Sequence, residues 1–271
     1  MGEGEAVPNY VLKIHQVKSN LKNWNFYEWV IFWVVIPALL LIIYSLPQSI
    51  KDEYFILDTS YLWRVQTFLS SSYTHSQLYP HLIGNIAFYF VVLAMIFAFE
   101  HNRHRFWVLA GWSLVLVPFI SSFLTVLFWG LIGRNTTGQG FSAIVGAFLA
   151  YAMFIFVVWG IGDILEVFDH PEEFTGSKRR FDFLKILLGI LLALIVIMGI
   201  QFGVFIDTGR STVNGIAHFG GFITSLILLL IFDVRTEKRK YFHQLLGASI
   251  LFGIFWYIVY LTILMHFVKG G

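Results

Sequence analysis

Four polar side chains stand where apolar runs begin: Ser142 in "GFSAIVGAFLAYA", His218 in "VNGIAHFGGFITS", and His81 with Asn85 in "PHLIGNIAFYF". A hydroxyl is a weak nucleophile until a base takes its proton, and an imidazole within hydrogen-bond reach is the commonest base. A carbonyl attacked by that hydroxyl develops negative charge on its oxygen, which imidazole, carboxamide and free backbone N–H groups can bind. Ser142 with His218, and His81 with Asn85, are therefore the parts of an acyl-transfer site if the fold gathers them. His81 and Asn85 lie i, i+4 apart and so project from one helix face.

The elements that must position them are membrane helices. The chain has 271 residues, 58% hydrophobic and 13% charged, with a mean hydropathy of +0.75. Soluble domains are about a quarter charged, so the expected class is an all-α integral membrane protein. A crossing takes roughly 20 apolar residues. Stretches at about 26–46, 81–100, 106–129, 140–161, 183–206, 214–232 and 244–267 meet that requirement. Pro37 and Pro118 fall inside two of them and are tolerable in membrane helices. The 47–80 connection mixes aromatic and polar residues and reads as an ordered, partly embedded loop. No cysteine is present, which excludes disulfides, thiolate nucleophiles and Cys-type zinc sites. A net charge of +2 gives no reason to expect nucleic acid, and residues 1–25 show no signal-peptide pattern.

Basic residues set the expected orientation. Lys13, Lys18, Lys22, Arg103, Arg105, Lys178, Arg179, Arg180, Arg235, Lys238, Arg239 and Lys240 fall on one side. Lys51, Arg64, Arg134, Arg210 and Lys269 fall on the other, leaving Lys185 near a helix end. The N-terminus is then cytoplasmic, the C-terminus external, and helices two, four and six all start at the external face. At 1.5 Å per residue, Ser142, His218, His81 and Asn85 reach similar shallow depths. Polar groups within a bilayer are expensive and usually mark function. Ser142, Gly146 and Ala150 make a small-residue stripe on one helix; His218, Gly221 and Ser225 make one on another. Facing stripes of this kind let membrane helices approach closely and would set Ser142 beside His218.

At these residues the chain resembles the rhomboid family of intramembrane serine proteases. Its H-x-x-x-N, G-x-S-x and A-H-x-G-G patterns read here as "HLIGN", "GFSA" and "AHFGG", with a W-R pair at Trp63-Arg64 in the first loop. The resemblance implies a rhomboid-like six-helix core over 26–232, including the 47–80 loop. A cytoplasmic tail (1–25) would precede it, and a cytoplasmic connection with an extra seventh transmembrane helix (233–271) would follow. It implies Ser142 as nucleophile, His218 as general base and acid, and His81, Asn85 and the Ser142 amide as the oxyanion hole. It further implies a multi-pass protein of the cell membrane, with its site opening externally. Substrates would be membrane-anchored proteins entering laterally from the bilayer and cut within or beside a transmembrane helix, without metal or cofactor. The chain departs from the family at Gly146, where an aromatic residue is frequent, at Ala143, and at Ser225.

Other readings of the same residues are a metal enzyme using His81, His218 and His75, a channel or transporter, and a catalytically inactive rhomboid-like binder of transmembrane helices. The first lacks an acidic ligand at the right depth, and the second lacks inverted repeats and midplane polar groups. The third is the main alternative. His75, His101 and His104 read as loop residues with no assigned role, Arg64 as a partner of loop carbonyls, and Asn135 as the start of an N-x-T sequon.

Overall fold

The computed structural model describes residues 17–133, 135, 137–169 and 215–233, and what it describes is mostly helical. Helix α1 (Phe26–Ser45) starts at Asn25, whose backbone N–H donates to Glu28 Oε2 at 2.7 Å, one arm of a capping box. It widens into a π turn over Ile31–Val35, just before Pro37. Proline has no N–H and its ring crowds the carbonyl four residues back, so the backbone re-pairs with a wider spacing.

The 47–80 connection is ordered, as expected. It holds α2 (Gln48–Tyr54), strand β1 (Leu57–Asp58), α3 (Thr67–Ser70) and a 3₁₀ turn over Ser71–Tyr73. A π turn over Leu78–Leu82, with Tyr79 extended, leads into α4 (Ile83–Phe99). Helix α5 (Arg103–Ile132) begins at Asn102, which accepts the Arg105 N–H at 3.0 Å, and ends at left-handed Gly133. Strand β2 (Thr137–Gly138) pairs antiparallel with β1, Leu57 opposite Gly138 and Asp58 opposite Thr137. Helices α6 (Ser142–Asp169) and α7 (Gly215–Asp233) complete the described chain.

Among the described residues, two helices, Phe26–Ser45 and Arg103–Leu131 within α5, are long and apolar enough to cross a membrane. The five long helices coincide with expected stretches, whereas 183–206 and 244–267 lie outside the described residues. Their ends differ for physical reasons. Helix α5 takes in Arg103 and Arg105, because each cation meets a carboxylate: Arg103 Nη2 lies 2.6 Å from Glu28 and Arg105 Nε 2.8 Å from Glu100. Helix α6 runs to Asp169, past the apolar stretch, because a helix needs only its own backbone bonds to continue.

Helix α7 packs mainly against α6 and α5, and α4 against α6. The end of the bundle near residue 100 is locked by aromatic and buried polar groups. Trp24 stacks on Phe97, with ring centroids 4.1 Å apart, and donates from its indole to the Phe97 carbonyl at 2.8 Å. Asn20 donates to the Ala98 carbonyl at 3.1 Å, so two side chains from before α1 cap the end of α4. Glu28 and Glu100 are both buried and both satisfied. Glu28 Oε1 also accepts the Trp107 indole N–H at 2.8 Å; Glu100 accepts two Arg105 N–H groups and the Tyr151 hydroxyl at 2.5 Å. This end fixes α1, α4, α5 and α6 relative to one another. The opposite end, where α4, α6 and α7 start, holds the candidate site.

Candidate active site

Ser142 is the first residue of α6 and is half-buried; His218 lies in the first turn of α7 and is buried. The two helices meet backbone to backbone at this point. A Cβ placed on Gly146, one turn beyond Ser142, would stand 2.9 Å from the His218 carbonyl oxygen, and one on Gly221 would collide with the Ala143 carbonyl. The small stripes therefore face each other. Gly220 turns the other way: a Cβ there would stand 2.9 Å from Leu124 Cδ1 of α5. The adjacent glycines of "HFGG" thus admit α7 against two neighbours at once. This contact also explains the residue at 146, since the space an aromatic ring would take is filled by the backbone of α7.

Asn85, in the first turn of α4, is half-buried. Its partner is His75, with Asn85 Nδ2 2.9 Å from His75 Nε2. The Phe141 backbone N–H donates to the same nitrogen at 3.2 Å. A backbone N–H can only donate, so Nε2 carries no proton and His75 is the neutral tautomer protonated at Nδ1. Nδ1 is buried and has no protein partner among the described residues. Burial, with a smaller contribution from the neighbouring charge of His81, pushes the His75 pKa down to about 4. His81 itself is half-buried in the π turn before α4, beside His75.

The sequence offers His75 as a loop histidine or as a ligand in the metal-enzyme reading, never as a partner of Asn85. It lies ten residues before Asn85 and outside any helical period, so no spacing rule could pair them. What brings it in is the 3₁₀ turn Ser71–Tyr73, from which Ser71 accepts the Gly140 N–H at 2.9 Å. The segment before Ser142 is therefore held by β1, Ser71 and His75 together.

A polar cavity of about 20 Å³ adjoins Ser142, with Ser71, Ser122, Thr125, Gln139 and Ala217 among its lining. It has room for about one water. Its hydroxyls are held: Ser122 Oγ donates to the Phe68 carbonyl at 2.8 Å, and Thr125 Oγ1 to the Ser121 carbonyl at 2.8 Å. Among the described residues no group of three or more His, Cys, Asp or Glu is placed to hold a metal ion.

In the first loop, Arg64 Nη1 donates to the Asp52 carbonyl at 3.1 Å and its guanidinium lies over the Tyr61 ring, a bracing role as expected. Trp63 packs edge-on to Tyr61 and is 71% exposed. His101, His104 and Asn135 are exposed. Comparison with models of protein families, with curated proteins and with solved structures finds no match to this chain.

Proposed function

We propose that the protein is a rhomboid-like intramembrane serine endopeptidase, a six-helix core with a seventh transmembrane helix. It would cleave membrane-anchored substrates within or next to a transmembrane segment. One observation carries the reading: Ser142 and His218 sit in the first turns of two helices whose backbones touch at Gly146 and Gly221. That contact costs side-chain volume at both glycines, and in this reading its purpose is to bring the Ser142 hydroxyl to the His218 imidazole.

In the mechanism, a substrate helix enters sideways from the bilayer and unwinds locally, since a helical peptide bond is shielded by its own hydrogen bonds. His218 takes the Ser142 proton as Oγ attacks the carbonyl carbon. The new oxyanion is held by His81, Asn85 and backbone N–H groups at the start of α6, which have no carbonyl to pair with in their own helix. His218 then protonates the leaving amine, giving an acyl-enzyme. Water, for which the hydroxyl-lined cavity beside Ser142 has room, hydrolyses the ester. The orientation follows the basic residues: cytoplasmic N-terminus, external C-terminus, and the site near the external face of the cell membrane.

A second reading is a non-catalytic binder of transmembrane helices, in which the bond between Asn85 and His75 is structural only. The two readings separate on labelling of detergent-solubilised protein with a fluorophosphonate probe. The peptidase labels, and Ser142→Ala and His218→Ala do not while remaining folded. Folded wild type that stays unlabelled is the result required by the binder.

A further inference from the structure

We propose that His75 is a positioning residue, whose unprotonated Nε2 holds both the Asn85 carboxamide and the Phe141 amide in place for the oxyanion hole. The proposal rests on the peptidase reading above and adds to it a residue that contacts neither Ser142 nor His218 in that mechanism.

The argument is one of hydrogen-bond accounting. A carboxamide NH₂ has two N–H donors. With one of them on His75 Nε2 at 2.9 Å, the plane and rotation of the Asn85 amide are fixed and the second donor is left for substrate. Phe141 directly precedes Ser142, and its N–H is tied to the same nitrogen at 3.2 Å. The two donors share the single Nε2 lone pair as a three-centre bond, so one acceptor atom sets the distance between α4, which carries the oxyanion donor, and the start of α6, which carries the nucleophile. His75 is 3% exposed, so its Nε2 is turned to these two donors and away from bulk water. A Cβ on Gly140 would lie 3.8 Å from His75 Nε2 and 3.7 Å from Ser142 Oγ, which places the imidazole one small residue away from the nucleophile. Phenylalanine at 75 would fill the volume without accepting a bond, whereas glutamine would offer an acceptor oxygen.

The test is a double-mutant cycle on the rate of fluorophosphonate labelling, with thermal unfolding in detergent followed in parallel. The expected result is a loss of roughly 10- to 100-fold for His75→Phe, the scale of a misplaced catalytic group. His75→Gln recovers most of that rate. Asn85→Ala is slowed similarly, and the double variant is no slower than the worse single one, because both changes remove the same donor. Wild-type labelling by His75→Phe, or losses that multiply in the double variant, overturns the positioning role. If His75→Phe does not fold, ¹⁵N-histidine NMR of the wild type decides: a proton on Nε2 overturns it, and a bare Nε2 with the glutamine rescue supports it. Wild type that does not label at all overturns the peptidase reading, and this use of His75 falls with it.

Discussion

Gly146 stands so close to His218 that a Cβ on it would lie 2.9 Å from the His218 carbonyl oxygen and 3.8 Å from the Phe222 nitrogen. The obstacle is backbone, not a flexible side chain, so it cannot turn aside. Gly146→Ala is expected to cost about 1–3 kcal/mol, the range for overpacking a filled site, and to slow fluorophosphonate labelling by moving α7 off α6. Gly146→Tyr, which would restore the aromatic residue frequent in the resembling family, should do worse on both counts. Unfolding curves and labelling rates for the two variants check this. A tyrosine variant as stable and as reactive as wild type would mean that the helices part easily.

The buried imidazole of His75 makes stability depend on pH. Its pKa is held at about 4 against an ordinary value of 6.5, by burial first and by His81 second. Between these values the unfolded chain binds a proton that the folded one does not, so stability falls as pH drops from 6.5 and levels off below 4. The whole window is worth about 3 kcal/mol, taking ~1.36 kcal/mol per unit. Above pH 6.5 the contribution is constant. The check is the midpoint of thermal unfolding against pH for wild type and for His75→Gln. Their difference should change between pH 6.5 and 4 and be flat outside it. Parallel curves would show that another group controls the acid limb.

How much of this was legible beforehand depends on the range of the interaction. Helices whose apolar runs are bounded by polar clusters were found, since hydropathy reports them directly. The close approach of α6 and α7 at Gly146 and Gly221 was legible too, because small residues at a 3.6-residue period are visible within each helix. The partner of Asn85 was not: the i, i+4 spacing placed His81 on the same helix face and named no partner, and the hydrogen bond goes to His75 in an irregular segment with no period to read. Nor was the buried pairing of Glu100 with Arg105 and Tyr151 visible, because charge counts treat Arg103 and Arg105 as loop cations facing the cytoplasm. A carboxylate that neutralises them inside the protein leaves no trace in hydropathy.

That clamp is expected to matter for stability and not for chemistry. Glu100 is 1% exposed and accepts from Arg105 Nε at 2.8 Å, Arg105 Nη2 at 2.9 Å and the Tyr151 hydroxyl at 2.5 Å. Glu100→Ala leaves the partly buried Arg105 guanidinium without its carboxylate, at a cost of about 3 kcal/mol, the low end for breaking a buried pair. Tyr151→Phe removes one bond to a charged acceptor, about 1.5–3 kcal/mol. Denaturation of the two variants, with labelling normalised to folded protein, checks both. A reduced rate per folded molecule would show that the clamp also holds the site.

Gly140 tests the last link, from backbone to site. Its φ is +134°, in the region that L side chains rarely adopt. Space is not the difficulty, because an added Cβ would meet Ser142 Oγ at 3.7 Å and His75 Nε2 at 3.8 Å, both ordinary contacts. The difficulty is that Gly140 cannot relax. Its own N–H is bonded to the Ser71 carbonyl at 2.9 Å, and the next N–H, that of Phe141, to His75 Nε2 at 3.2 Å. An alanine must therefore carry the strain, roughly 1–3 kcal/mol, or break one of those bonds. If it breaks the Phe141 bond, Ser142 moves and Asn85 loses its fixed neighbour together with it. Gly140→Ala should accordingly slow labelling more than its loss of stability accounts for. The measurement is labelling rate at a temperature where the variant remains fully folded. A normal rate there would mean that the segment before Ser142 tolerates rotation, and that the bond from Phe141 to His75 does not position the nucleophile.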